Sequence, residues 1–208
     1  MQLMLKKLFY FKKSLLDDII IVSGLPRSGT SMMMRMLEAG GLDVVVDNIR
    51  KPDEDNPNGY YEFEQIKKIK ANASFLDHIH GKGVKMVSTL LCDLPKNKKY
   101  KIIFMQRNLH EMLMSQKIML QRNGKMIQDD DQSMRRIFEK HLREVTSWLS
   151  QQSHIDVIYI DYNDVIKNPL ARAETVSEFL RKHLDIEKMA SVVDHTLYRR
   201  RMSQGLVH

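Results

Sequence analysis

Two stretches far apart in the chain carry side chains suited to holding anions. Gly24-Leu25-Pro26-Arg27-Ser28-Gly29-Thr30-Ser31 follows the apolar run Ile19-Ile20-Ile21-Val22 and precedes a helical pattern. Glycines let the backbone wrap closely around an anion, and the N–H groups and dipole of the following helix complete the cradle. Gly24, Gly29 and Ser31 fall in register with the phosphate-loop pattern G-x-x-x-x-G-K-[ST], but Thr30 stands where that pattern has lysine. An ordinary ATPase or kinase is therefore disfavoured. The second stretch is Lys101–Gln106 followed by Arg107, with Ser115 farther along. A strand-end guanidinium can fork onto phosphate oxygens, and a serine on the next helix can donate to the same group.

Other chemically capable residues are less committed. Glu62 and Glu64 close the segment Asn56-Pro57-Asn58-Gly59-Tyr60-Tyr61-Glu62-Phe63-Glu64, where a helix over 62–72 is expected to begin. A carboxylate at a helix start is stabilised in its charged form by the dipole. Asp47, Arg50, Asp53 and Asp55 are close by in sequence and are candidates for a neighbouring pocket. Lys85 can serve as a further cation, although its place in a strand reads more simply as an end facing water. His78 and His80 have a spacing some metal sites use, but no cysteine or carboxylate set accompanies them, so no metal is expected. Trp148 and the 15 methionines read as helix core or pocket lining.

The elements that must position these residues alternate. Strands are expected at 19–23, 44–46, 84–88, 101–106 and 157–160, and helices at 30–38, 62–72, 109–121 and 131–151. A last helix follows the break at Asn168-Pro169 and runs to about 183. The helix after the phosphate loop should stop at Gly40-Gly41. Lys51 to Gly59, with Pro52 and Pro57, reads as an exposed loop. Short β-branched runs between helices imply an α/β fold: a three-layer sandwich around a mostly parallel five-stranded sheet. Ligands of such sheets bind beyond the carboxyl ends of the strands.

Length and composition set the outer bounds. At 208 residues the chain is expected to form a single α/β domain over 1–208, with residues 1–17 as a leader helix. The net charge of +7 suits an anionic partner without choosing one. Cys92 is the only cysteine, which excludes an internal disulfide and favours a reducing compartment. The apolar residues are interrupted by charge too often for a spanning helix of ~20 residues, and no signal peptide is recognised. A cytoplasmic location is expected. The basic, Leu/Phe-containing N-terminus is compatible with peripheral membrane contact.

Pro26-Arg27-Ser28-Gly29-Thr30-Ser31 resembles the 5′-phosphosulfate loop of the sulfotransferases, the P-loop-type enzymes that move a sulfuryl group from 3′-phosphoadenosine 5′-phosphosulfate (PAPS) to a hydroxyl or amine. Arg107 and Ser115 resemble that family's 3′-phosphate pair. Ile160-Asp161-Tyr162-Asn163-Asp164-Val165, with Asn168-Pro169 and Phe179-Leu180, resembles a third family element, with Val165 replacing the usual leucine. The segment from Asn56 to Glu64 resembles a stretch of bacterial-type sulfotransferases that precedes the acceptor site. The resemblance implies PAPS as donor co-substrate, adenosine 3′,5′-bisphosphate (PAP) as product, and no metal requirement. It assigns Pro26, Arg27, Ser28, Gly29, Thr30, Ser31, Arg107 and Ser115 to the nucleotide, with Arg199 and Arg200 as candidates from a basic C-terminal segment. Arg27 and Glu62 become the catalytic residues, with Glu62 as general base. The acceptor is a small molecule, sugar or peptide of unread identity. No motif for nucleic acid stands out, and the oligomeric state is not legible. Two alternatives stay open: a P-loop nucleotide kinase or NTPase, and an inactive sulfotransferase-like module that binds polyanions through its basic face.

Overall fold

The structure, a computed structural model, describes residues 18–47, 49–53, 56–122, 124 and 131–194. The expected leader helix over 1–17 lies outside these residues. β1 (Ile19–Gly24) leads through the phosphate loop into α1 (Thr30–Ala39), and the chain then forms β2 (Val44–Val45), β3 (Gly83–Val87) and β4 (Tyr100–Gln106). Two long helices follow, α2 (Leu109–Arg122) and α3 (Asp131–Leu149), then β5 (Ile155–Asp161). The last helices are α4 (Tyr162–Lys167), α5 (Pro169–Leu180) and α6 (Ile186–Ser191).

The five strands form one sheet in the order β2-β3-β1-β4-β5, and every pairing is parallel. The sheet is therefore wholly parallel among the described residues. Because successive side chains of a strand point to opposite faces, β1 sends Ile20 and Val22 into one core and Ile19 and Ile21 into the other. The first core is closed by α1, α4, α5 and α6 through residues such as Met33, Leu37, Val165, Val176 and Met189. The second is closed by α3 and by short 3₁₀ turns through Val145, Leu149, Ile66, Leu76 and Leu91. A strand buried on both faces is apolar at most positions, which is why Ile19–Val22 of β1 and Ile102–Met105 of β4 read as unbroken runs.

The expected helix over 62–72 is a correction. Only a 3₁₀ turn forms, Glu64–Lys68, with a second at Ser74–His78. Phe63, Ile66 and Ile69 recur every third residue, a spacing that lines up on one face of a helix with three residues per turn. Ile66 and Ile69 are buried on that face. Ser88 also leaves β3 and opens a 3₁₀ turn, Ser88–Asp93. α4 and α6 are too short to show periodicity in sequence, but each has an aspartate at its N-cap: Asp161 accepts from the Asp164 N–H and Asp185 from the Lys188 N–H. No helix among the described residues is long and apolar enough to cross a membrane.

Strand order places the site. β1 is central, and the chain leaves it toward β2 and β3 on one side before crossing to β4 and β5 on the other. The crevice beyond the carboxyl ends of β1, β3 and β4 is thus the topological switch point, where open α/β sheets take ligands.

Candidate active site

The register across the sheet brings the distant motifs together. Gly24, the last residue of β1, pairs with Met105 of β4 on one side and Val87 of β3 on the other. Arg107 therefore emerges two residues past Gly24's level, beside the loop. Its NH1 donates to the Arg27 carbonyl at 3.2 Å, and Arg27 Nε donates to Ser115 Oγ at 3.1 Å. Residues 80 and 88 positions apart in sequence thus form one hydrogen-bonded group.

The loop is tightly constrained. A Cβ at Gly24 would lie 2.6 Å from the Met105 carbonyl oxygen, and one at Gly29 would lie 2.4 Å from Cδ2 of Tyr162. Gly29 also has φ 98°, in the region that favours glycine. Arg27 occupies the same left-handed region at φ 69° without being glycine, a conformation held only because its surroundings fix it. The Ser28 N–H donates back to the Leu25 carbonyl, and the Ser28 hydroxyl is buried with no hydrogen-bond partner among the described residues. α1 begins at Thr30 with Gly29 as a cap that supplies no side-chain acceptor and with no acidic residue in its first turn. The positive end of the helix is left open to an anion.

A cavity of about 380 Å³ opens over this loop, within the roughly 300–1,000 Å³ typical of small-molecule sites. Pro26, Arg27, Gly29, Thr30 and Ser31 line one end. Glu62 lines it as well, while Ser28, Arg107 and Ser115 do not. The Arg107 and Ser115 side chains lie behind Arg27 and are nearly enclosed, at 8% and 5% exposure for the residues. Arg199 and Arg200 fall outside the described residues.

Glu62 lies in an irregular segment before the 3₁₀ turn, whose N-cap is Phe63, and the Ser31 hydroxyl of the loop donates to the Tyr60 carbonyl of that segment at 3.1 Å. The expected helix dipole is absent from its surroundings. Ion pairs take its place: Arg50 at 3.0 Å and Lys67 at 3.9 Å. The Arg50 guanidinium lies 3.3 Å from the centroid of the Tyr60 ring, and the Tyr60 hydroxyl donates to the Asp53 carboxylate at 2.7 Å. Burial and that hydrogen bond push the Tyr60 phenol up to about 12. Asp47 accepts the Glu64 N–H at 2.6 Å, and this contact holds its carboxyl below the usual value. Asp47 and Asp53 shape the segment and do not line the cavity, whereas Arg50 does. Glu64 pairs with Lys67 at 2.5 Å.

Lys85 corrects the sequence expectation most directly. It does not face water: β3 lies inside the sheet, and Lys85 sits opposite Val22 of β1. Its ammonium lines the cavity, donating to the Tyr60 carbonyl and, at 3.4 Å, to Ser31 Oγ. Burial pushes its pKa down from 10.5 to about 8, against the pull of Glu62. A lone cation inside an otherwise apolar strand was the available signal, but only the pairing of β3 with β1 gives it meaning. Sequence reasoning also passed over Glu111 and Asn163. Glu111 accepts from Nε and NH2 of Arg107, each at 3.2 Å, and from Asn163 Nδ2 at 3.2 Å. The Arg107 guanidinium also lies 4.4 Å from the Tyr162 ring centroid. Met32, Met86 and Met119 border the cavity, while Met33 and Met34 are core.

The arrangement is one strained, cation-bearing loop at a helix start, a second arginine behind it, and a carboxylate and a half-buried lysine in the same cavity lining. Two solved structures share the fold. The sulfotransferase domain from the curacin biosynthetic pathway is 15% identical with TM-score 0.54, and the match covers 93% of each chain. Mouse sulfotransferase SULT7A1, solved in complex with PAP, is 20% identical with TM-score 0.55, over 91% of this chain and 70% of that one. At these identities the likeness is one of fold. The family model described as "Sulfotransferase domain" matches residues 16–205, which takes in every element of the sheet and both arginine motifs. The chain belongs to the sulfotransferase-domain family of enzymes.

Proposed function

We propose that the chain, as a single unit over residues 1–208, transfers a sulfuryl group from PAPS to a hydroxyl or amine of an acceptor. The observation that carries this reading is the group made by Arg27, Ser115 and Arg107, because it joins a phosphate loop to a second phosphate-type arginine at one end of the sheet. Nucleotides bearing phosphates at both the 5′ and 3′ positions need two such sites a ribose apart. The PAP complex of the mouse protein of like fold supports the nucleotide class.

In this reading the backbone N–H groups of Gly29, Thr30 and Ser31 and the guanidinium of Arg27 hold the 5′-phosphosulfate. Arg107 and Ser115 take the 3′-phosphate, with Arg27 shifting away from Ser115 as the nucleotide enters. Arg199 and Arg200 remain candidates to close over it. As the sulfuryl group leaves, negative charge grows on the bridging oxygen and the 5′-phosphate. Preorganised cations and helix N–H groups stabilise that charge without reorganising. Lys85 supplies a further cation from the β3 side. Glu62, in the same cavity lining, accepts the proton of the attacking hydroxyl, and Arg50 and Lys67 hold its carboxylate in place until the acceptor displaces them. The single free cysteine, Cys92, fits a reducing compartment.

Titration calorimetry with PAP, and with AMP, ADP and ATP as competitors, tests the donor class. Preference for PAP is expected in the intact protein and is lost in Arg107→Ala, while Arg27→Ala binds weakly and turns over labelled PAPS negligibly. Magnesium-dependent ATP turnover, or equal affinity for PAP and AMP, would overturn the reading.

A further inference from the structure

The Arg107 side chain is only 2% exposed, yet it forms a charge pair with Glu111, whose side chain is 24% exposed. A guanidinium has five N–H donors in a rigid plane. Glu111 Oε2 accepts from Nε and from NH2, and NH1 donates to the Arg27 carbonyl. Three donors are thereby committed, and the Tyr162 ring beside the guanidinium limits its tilt. Glu111 is itself anchored, since its second oxygen accepts from Asn163 at the start of α4. Glu111 lies in the first turn of α2 and Arg107 in the link between β4 and that helix, so the strand-to-helix junction sets the separation of the pair.

We propose that Glu111 is the positioning residue for the 3′-phosphate: by occupying the Nε side of Arg107 it leaves the two remaining N–H groups of that guanidinium for the phosphate. This rests on the nucleotide reading above and assigns Glu111 a part in selecting 3′-phosphorylated nucleotides. Two effects of Glu111 have opposite signs. Its negative charge repels a phosphate, so deleting it by that effect alone tightens binding. Its grip on Arg107 pre-sets a fork that the Arg27 carbonyl and the Tyr162 ring hold only on the other side, so deleting it by that effect weakens binding. In a nearly enclosed site with a planar donor, orientation dominates, because a guanidinium turned away loses both hydrogen bonds at once.

The test is the ratio of AMP to PAP dissociation constants, measured by calorimetry on the full chain for the unaltered protein, Glu111→Gln and Glu111→Ala, with thermal midpoints recorded. Glu111→Ala is expected to lower the ratio about tenfold, the size of one hydrogen bond to a charged group, with the AMP constant unchanged. Glu111→Gln, which keeps an acceptor for Arg107, should fall between the other two. An unchanged or increased ratio overturns the proposal, and so does a parallel loss for both nucleotides, which marks a purely structural role. If Glu111→Ala does not fold, Glu111→Gln alone decides by the same ratio. If the unaltered protein already fails to discriminate, the nucleotide reading itself falls, a result separate from any effect of the variants.

Discussion

The two parts of the site are built on different principles. At the loop, the two arginines are fixed by contacts between separate elements. Arg107 of β4's end reaches Arg27 of the loop, Ser115 of α2 reaches the same residue, and Tyr162 of α4 packs against Gly29. Around the carboxylate, Glu62, Arg50, Lys67 and Glu64 are joined mainly to one another, with partly exposed side chains. Exposed ion pairs contribute at most about 1 kcal/mol each. The difference suits the two tasks in the proposed reaction: a donor nucleotide demands a fixed cradle, whereas an acceptor end can be rebuilt without disturbing the sheet.

The contrast is broken most severely at the loop. Gly24→Ala forces a Cβ to within 2.6 Å of the Met105 carbonyl in the centre of the sheet. A loss of about 3 kcal/mol or more is expected, a fall in thermal midpoint of roughly 6–12 °C for a chain of this size, with nucleotide binding abolished. A midpoint within a degree of the parent would mean that the loop is more pliant than its contacts imply. Glu62→Gln should leave the fold and PAP binding intact while turnover drops about 10²–10⁴-fold, the usual scale of general-base loss. Normal turnover in that variant would move the base to another residue.

Smaller effects sharpen the comparison. Arg107→Lys keeps the charge but cannot make a planar fork, so PAP affinity should fall about tenfold or more with AMP affinity little altered. Lys85 predicts a pH dependence. Its ammonium predominates below about pH 8 and is lost as pH rises through that value. Turnover should therefore decline on the alkaline side near pH 8, and Lys85→Arg, which remains charged, should remove that limb. A limb unchanged in Lys85→Arg would assign it to another group. The smallest expected effect belongs to Lys67→Gln, which removes two partly exposed pairs and should change the midpoint by no more than a few degrees.

Legibility in the sequence follows the same division. The loop, both arginine motifs and the strands that carry them could be read because each is short and locally specified: apolar runs for buried strands, glycines where no Cβ fits. The Glu62 surroundings could not. Spacing by threes at Phe63, Ile66 and Ile69 fits a 3₁₀ turn as well as a helix start, and burial of Ile66 and Ile69 against the sheet selects the turn. Glu62 is a candidate in the sequence through its place in the sulfotransferase-like segment, with the dipole of a helix start as support, and in the structure it has another set of neighbours, Arg50 and Lys67.

The sequence by itself determined the alternation of strands and helices, the glycine-bounded loop, and the absence of the phosphate-loop lysine at Thr30. These depend on residue types within one or two turns of chain. Only the tertiary structure decided that β3 lies beside β1, which turns Lys85 from a water-facing strand end into a half-buried cation of the cavity lining. It alone decided that Glu111 grips Arg107 while Arg107 grips the loop. Strand order and register are set by how whole faces pack, and no local run of residues contains that information.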